Sequence, residues 1–310
     1  MSLYNNFIGV DIGKFNFTVA VYGNNNVGIN SFVEDYKPLL SNALSILETT
    51  GGYEMELLFT LHKEGFAVHR ANTNKVKNFI RSFGNTAKTD SLDAKALALY
   101  GFERVELLEL FVPQSKKALE LYELVQRKND LKQMLIAEKN RLKAPKADLI
   151  KNSCQLMIKV ITEQIESIVL KINALIKDDT ILIARKKLLI SIPGIGNIVA
   201  NELLILLPEL GLLNRRQIAS LAGLAPKNND SGKFTGYRRT GQGRNLVKPL
   251  LFLAAMAARN SNSELKLFYL SLINRGKKKM VALTALMRKI IVIANAKLRD
   301  LLTKKLEIKI

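Results

Sequence analysis

Short apolar runs dominate the first hundred residues. Residues 6–11, 15–22 and 27–33 each have strand length, and Gly23-Asn24-Asn25-Asn26 supplies a turn between the last two. The first run, Phe7-Ile8-Gly9-Val10-Asp11-Ile12-Gly13-Lys14, leads straight into Phe15-Asn16-Phe17-Thr18-Val19-Ala20-Val21. A helical turn around 38–42 precedes Ala43-Leu44-Ser45-Ile46-Leu47-Glu48, a strand that ends on an acid before Thr49-Thr50-Gly51-Gly52 breaks it. Residues 53–64 read as a helix, 66–70 as a short strand and 73–83 as another helix. The order β-β-β-(α)-β-α-β-α predicts a mixed sheet covered by helices.

Beyond residue 113 the pattern is helical. Residues 114–144 are rich in Leu and Lys up to Pro145, and 147–178 carry Leu156, Ile158, Val160, Ile161, Ile165, Ile168, Val169, Ile172, Leu175 and Ile176. This predicts a long helical hairpin, packed either within one chain or partly as a coiled-coil contact with another subunit. From Leu188 the run Leu189-Ile190-Ser191-Ile192-Pro193-Gly194-Ile195-Gly196-Asn197-Ile198 reads as helix, glycine hairpin, helix. A helix-hairpin-helix-like turn of this kind offers backbone N–H groups of Gly194 and Gly196 to a phosphate; a glycine turn between two core helices reads the same way. Residues 215–226 form a further helix and turn, and 245–260 and 279–302 the last helices. Three domains follow: 1–112, 113–180 as a helical linker, and 181–310.

Charge changes this picture. The chain has 47 Lys and Arg against 27 Asp and Glu, a net charge of +20. Residues 1–180 hold 23 bases and 21 acids, whereas 181–310 hold 24 and 6, so nearly all the excess lies in the back part. Such asymmetry predicts a polyanionic partner, with nucleic acid first. No apolar run is long enough to span a membrane, and no secretion signal opens the chain, so the cytoplasm is the expected compartment and no membrane partner is expected. One cysteine and two histidines exclude a disulfide framework and a thiolate or His-based metal cluster, so a catalytic metal would need carboxylates, which suit Mg²⁺ or Mn²⁺.

The candidate carboxylates are Asp11 and Glu48 at strand ends, and Asp90 and Asp93, three apart at the start of a helix. Taken singly, Asp11 reads equally as a turn residue, and Asp90 and Asp93 as helix caps. Together, four acids at one sheet edge would repel one another and demand cations. Residues 227–245 hold four glycines, five Lys or Arg (Lys227, Lys233, Arg238, Arg239, Arg244) and one acid, better suited to wrapping phosphate than to a core.

Five stretches in order carry a family resemblance: Val10-Asp11-Ile12-Gly13-Lys14, Glu48-Thr49-Thr50-Gly51-Gly52-Tyr53, Lys88-Thr89-Asp90-Ser91-Leu92-Asp93-Ala94, Ile192-Pro193-Gly194-Ile195-Gly196 and Leu221-Ala222-Gly223-Leu224-Ala225-Pro226. Together they resemble the DEDD insertion-sequence transposases, relatives of the Piv-type DNA invertases. The resemblance implies an RNase H-like (RuvC-like) α/β N-terminal domain, a coiled-coil-like helical linker and a mostly α-helical C-terminal transposase domain. It also implies an acidic tetrad of Asp11, Glu48, Asp90 and Asp93 holding Mg²⁺ or Mn²⁺, and Ser231 as nucleophile. The implied partners are donor and target DNA, a structured guide (bridge) RNA, and further copies of the chain in a dimer or tetramer. A water-using structure-specific nuclease and an inactive nucleic-acid-binding relative are the other readings.

Overall fold

The structure is a computed structural model that describes residues 4–12, 17–22, 24–28, 37–84, 89–144, 147–228, 230–232 and 234–307. It divides into two compact units, 1–114 and 115–310.

The first unit is built on five strands: β1 (Asn6–Ile12), β2 (Phe17–Val21), β3 (Asn24–Gly28), β4 (Ala43–Glu48) and β5 (Ala67–Ala71). Their order is β3-β2-β1-β4-β5, with β1–β2 and β2–β3 antiparallel and β1–β4 and β4–β5 parallel. Asn24 to Asn26 belong to β3 rather than to the expected turn: this strand opens earlier than apolar content alone suggested, and residues 29–33 lie outside the described residues.

Strand periodicity explains the near-continuous apolar runs. Ile8, Val10, Ala43 and Leu47 pack on one face with Leu58 and Leu61 of α1 (Glu54–Lys63). Phe7, Leu44 and Ile46 pack on the other with Val76 and Phe79 of α2 (Thr73–Ser82) and Leu97 and Tyr100 of α3 (Asp90–Arg104). A sheet buried on both faces needs apolar side chains at successive positions, not only at alternate ones. The outer edge of β5 is covered in turn: the Phe111 N–H donates to the Val68 carbonyl at 2.7 Å, and His69 Nδ1 lies 2.7 Å from the Glu109 carbonyl oxygen.

The second unit begins with α4 (Lys116–Lys143) and α5 (Asp148–Lys177), an intramolecular helical hairpin. Then come α6 (Thr180–Ile190), α7 (Asn197–Leu206), α8 (Arg215–Leu221), α9 (Val247–Ala258), α10 (Glu264–Asn274) and α11 (Lys279–Glu307). Leu121, Val125, Ile172 and Ile176 tie the base of the hairpin into one core with Leu203, Ile218, Leu251, Leu286 and Ile290. Leu149, Leu156 and Leu170 of α5 are exposed. Buried Asn295 of α11 accepts from the Gly211 N–H at 2.8 Å and donates to the Leu213 carbonyl at 2.7 Å, fixing the turn before α8. No helix among the described residues is long and apolar enough to cross a membrane.

Candidate functional site

Asp11 is the penultimate residue of β1 and Glu48 the last of β4. These strands run parallel with Val10 beside Leu47, so one further step of the register sets Asp11 beside Glu48 at the carboxyl ends. Alternation assigns Phe7, Gly9 and Asp11 to one face, and Leu44, Ile46 and Glu48 to that same face, the one α3 covers.

Two glycines fix the direction of α3. A Cβ on Gly9 would lie 2.0 Å from the Ala94 carbonyl oxygen and 2.4 Å from the Ala98 nitrogen; one on Gly101 would lie 2.2 Å from Ile46 Cδ1 and 3.4 Å from Phe7 Cδ1. Ala94 thus sits over Gly9, Gly101 sits against Ile46 and Phe7, and Phe102 stacks edge-on against Phe7. The helix runs antiparallel to β1, and its first turn, with Asp90 and Asp93, lies toward the carboxyl end of the strand. Helix capping falls to Thr89, whose Oγ1 accepts from the Leu92 N–H at 3.3 Å, so Asp90 is not the cap that its position alone allowed. Asp90 is exposed and Asp93 half-buried.

All-oxygen donors of this kind suit a hard dication, and the backbone brings four of them to one edge and one face. Among the described residues, however, no three His, Cys, Asp or Glu side chains are gathered closely enough to enclose an ion.

The loop after Glu48 is held by residues that sequence reading passed over. Thr49 donates through its N–H (3.2 Å) and its Oγ1 (3.1 Å) to the Ala71 carbonyl, and Thr73 Oγ1 donates to the Thr49 carbonyl at 3.0 Å. The carboxylate of Glu54, fully buried, accepts at Oε2 from Thr50 N–H (3.1 Å), Thr50 Oγ1 (2.9 Å) and Gly52 N–H (2.9 Å). Its Oε1 accepts from Arg70 Nε (3.1 Å) and Nη2 (2.5 Å). Burial raises the pKa of this carboxyl, but the Arg70 guanidinium, the Glu54 N–H and the Thr50 donors outweigh it and hold it below the usual glutamate value. An acid immediately after Gly51-Gly52-Tyr53 was the available signal.

Ser231 stands on a different kind of support. Pro226 and Lys227 pair with Thr240 and Arg239, and Asp230 and Ser231 with Thr235 and Phe234, two ladders of two residues each. The neck is tight: a Cβ on Gly223 would lie 2.3 Å from the Gln242 carbonyl oxygen, one on Gly243 would lie 2.4 Å from the Gly223 nitrogen, and the Arg244 N–H donates to the Leu221 carbonyl at 2.9 Å. Asp230 is braced by Arg238 Nη2 at 2.9 Å and by the Gly236 N–H at 3.2 Å. Ser231 itself is exposed, as are Lys227, Arg238 and Arg239. The Lys227 ammonium donates to the Gln242 side chain. Arg244 is held by both carboxylate oxygens of Glu209 and by the Leu206 carbonyl, so it secures the neck of the loop; Lys233 lies outside the described residues.

The glycine turn divides its duties. Gly194 has φ +91°, and a Cβ there would lie 2.2 Å from the Ala254 carbonyl oxygen, so close packing against α9 requires it. Gly196 is exposed, has open space around it, and precedes α7 without any side-chain cap.

At the base of the hairpin, Lys128 of α4 and Glu202 of α7 form a buried ion pair, and neighbouring Asn201 donates to Asn173 at 2.9 Å. Burial pulls the Lys128 ammonium below the ordinary lysine range, against the opposing pull of Glu202.

Residues 8–145 match the transposase family model of the IS110 DEDD type, and residues 186–270 match the model of the IS116/IS110/IS902 transposase family. The pilin gene-inverting proteins of Moraxella lacunata and Moraxella bovis are each 27% identical over 312 aligned positions, covering 95% of this chain and 96% of theirs.

Proposed function

This chain belongs to the IS110 family of transposases and is an enzyme of DNA, and we propose that it cuts and rejoins strands through a covalent bond between DNA and Ser231. The observation that carries the reading is the shared edge and face of Asp11, Glu48 and the first turn of α3. The chain's similarity to two pilin gene-inverting proteins supports it.

In the proposed step Ser231 Oγ attacks a backbone phosphorus, an Oγ–P bond forms, and the bond from phosphorus to a deoxyribose oxygen breaks. The serine proton passes to a base and the departing oxygen takes up a proton. A hydroxyl from a second DNA end then attacks the phosphoserine and releases Ser231, so the number of phosphodiester bonds is conserved. A Mg²⁺ or Mn²⁺ ion held by Asp11, Glu48, Asp90 and Asp93 would supply Lewis-acid stabilisation of charge on the phosphate oxygens. The Asp230–Arg238 pair holds the strand that carries Ser231, and Lys227, Lys233 and Arg239 hold neighbouring phosphates. The open N-terminus of α7 at Gly196 offers N–H groups to the backbone.

The basic surplus of the second unit supports binding of a structured guide RNA beside donor and target DNA. Exposed Leu149, Leu156 and Leu170, seven and fourteen residues apart, support assembly of two or four copies along the hairpin.

The test is incubation with guide RNA and end-labelled DNA carrying both sites, resolved on a denaturing gel. The wild type leaves labelled DNA attached to protein and Ser231→Ala leaves none. Wild-type cleavage without any attached protein would instead identify a nuclease that uses water, and adduct at wild-type level in Ser231→Ala would refute the nucleophile assignment.

A further inference from the structure

We propose that Glu54, which is outside the acidic tetrad, is the positioning residue of its second member, Glu48. The proposal rests on the reading that Glu48 serves the reaction. Glu54 is the first residue of α1 and is fully buried. It reaches back into the preceding loop and takes five donors from Thr50, Gly52 and Arg70. A carboxylate has about four acceptor sites, so this one is saturated. Burying an ionised acid is costly unless its geometry is fully satisfied, and an apolar residue would fill the same volume without that cost. What the charge adds is a shape for the loop.

That loop has little shape of its own. Gly51 and Gly52 adopt φ +86° and +121°, and open space surrounds both. Neither has a side chain of its own to restrain it, and glycine loses more conformational freedom on ordering than any other residue. The segment starts at the residue after Glu48. Thr49 is tied to Ala71 and Thr73, and Thr50 and Gly52 are tied to Glu54, so the chain leaving Glu48 is anchored at three points within four residues. Arg70, which completes the clamp, pairs in register with Leu47, one residue before Glu48. The clamp therefore grips the backbone on both sides of the acid. It removes freedom that would otherwise be lost when Glu48 takes up its ligand.

The experiment compares full-length wild type, Glu54→Gln, Thr50→Val, Leu58→Ala and Glu48→Ala. Mn²⁺ binding is measured by electron paramagnetic resonance of the free ion, and DNA cleavage is titrated with Mg²⁺. Supporting residues behind a metal ligand typically alter affinity by about 10–100-fold. Glu54→Gln is expected to weaken Mn²⁺ binding and raise the half-maximal Mg²⁺ within that range, with most of the cleavage rate recovered at saturating Mg²⁺. Thr50→Val, which removes one donor and keeps its shape, shifts both in the same direction by less. Leu58→Ala, in the core beneath the same helix, lowers the melting temperature without moving either metal curve. If Glu54→Gln and Thr50→Val behave like Leu58→Ala, with Glu48→Ala inactive, the positioning role is refuted while the tetrad stands. If Glu48→Ala cleaves like wild type, the tetrad reading itself has failed and the role falls with it.

Discussion

The acid edge and the serine loop, the two halves of the proposed chemistry, stand on opposite kinds of scaffold. Asp11 and Glu48 end strands whose backbones are paired on both sides and whose neighbours Val10 and Leu47 are fully buried. Ser231 ends a two-residue ladder in an exposed loop whose rigidity is concentrated at its neck. Groups proposed to share one cation need a rigid base, which paired strands and a directly packed helix provide. A nucleophile that must meet a strand of DNA benefits from protruding, and loops on a rigid base commonly carry such groups.

The largest expected effect tests the chemical half of this contrast. On the proposed reading, Asp11→Asn loses about a thousandfold in cleavage rate, as removal of several kcal/mol of charge stabilisation predicts. Binding of RNA, measured by filter retention, stays near wild type because the basic surplus lies in the other unit. A variant that cleaves normally would remove Asp11 from the site.

Next in size is the buried pair that joins the hairpin to its core. Glu202→Leu leaves Lys128 buried without its partner and should cost about 3–5 kcal/mol, read by urea unfolding of the second unit's transition. The double variant Lys128→Met/Glu202→Leu should regain that loss or exceed wild-type stability. A double variant as unstable as the single would show that the pair does more than neutralise itself.

Glycine substitutions compare the two scaffolds directly. Gly9→Ala forces a methyl into the backbone of α3 and should cost about 1–3 kcal/mol in stability, with cleavage reduced as the helix that carries Asp90 and Asp93 is displaced. Gly232→Ala, beside Ser231, meets open space at φ +55° and should cost about 1 kcal/mol through backbone strain alone. Equal penalties at the two sites would contradict the contrast drawn between them.

The smallest effect is one of pH. Because the Glu54 pKa is lowered by folding, its contribution is fully present above the ordinary glutamate value, about 4.3, and is lost as pH falls through the lower folded value. Thermal unfolding of wild type should thus fall more steeply with acid below pH 5 than that of Glu54→Gln.

Much of this was legible in order along the chain. The strand ending at Glu48, the helices at 54–63 and 73–82 and both arms of the hairpin fell close to where periodicity put them. β3 did not, because Asn24 to Asn26 carry turn chemistry that strand pairing with β2 overrides. Arg244, expected at a phosphate, has a partner that nothing local announced: Glu209, thirty-five residues earlier. Gly194, expected at a phosphate, is also required by the approach of α9, which only the fold reveals.

The sequence by itself determined the α/β-then-helical order, the charge asymmetry and the identity of the candidate acids and serine, because periodicity, composition and motif order are properties of neighbours along the chain. Only the tertiary structure decided that α3 starts at the Asp11 end of β1 and runs back along that strand, that Thr89 rather than Asp90 caps it, and that Glu54 holds the loop beyond Glu48. Those outcomes depend on which backbone a glycine lets approach and on which donors surround a buried carboxylate, and both are set by neighbours in space.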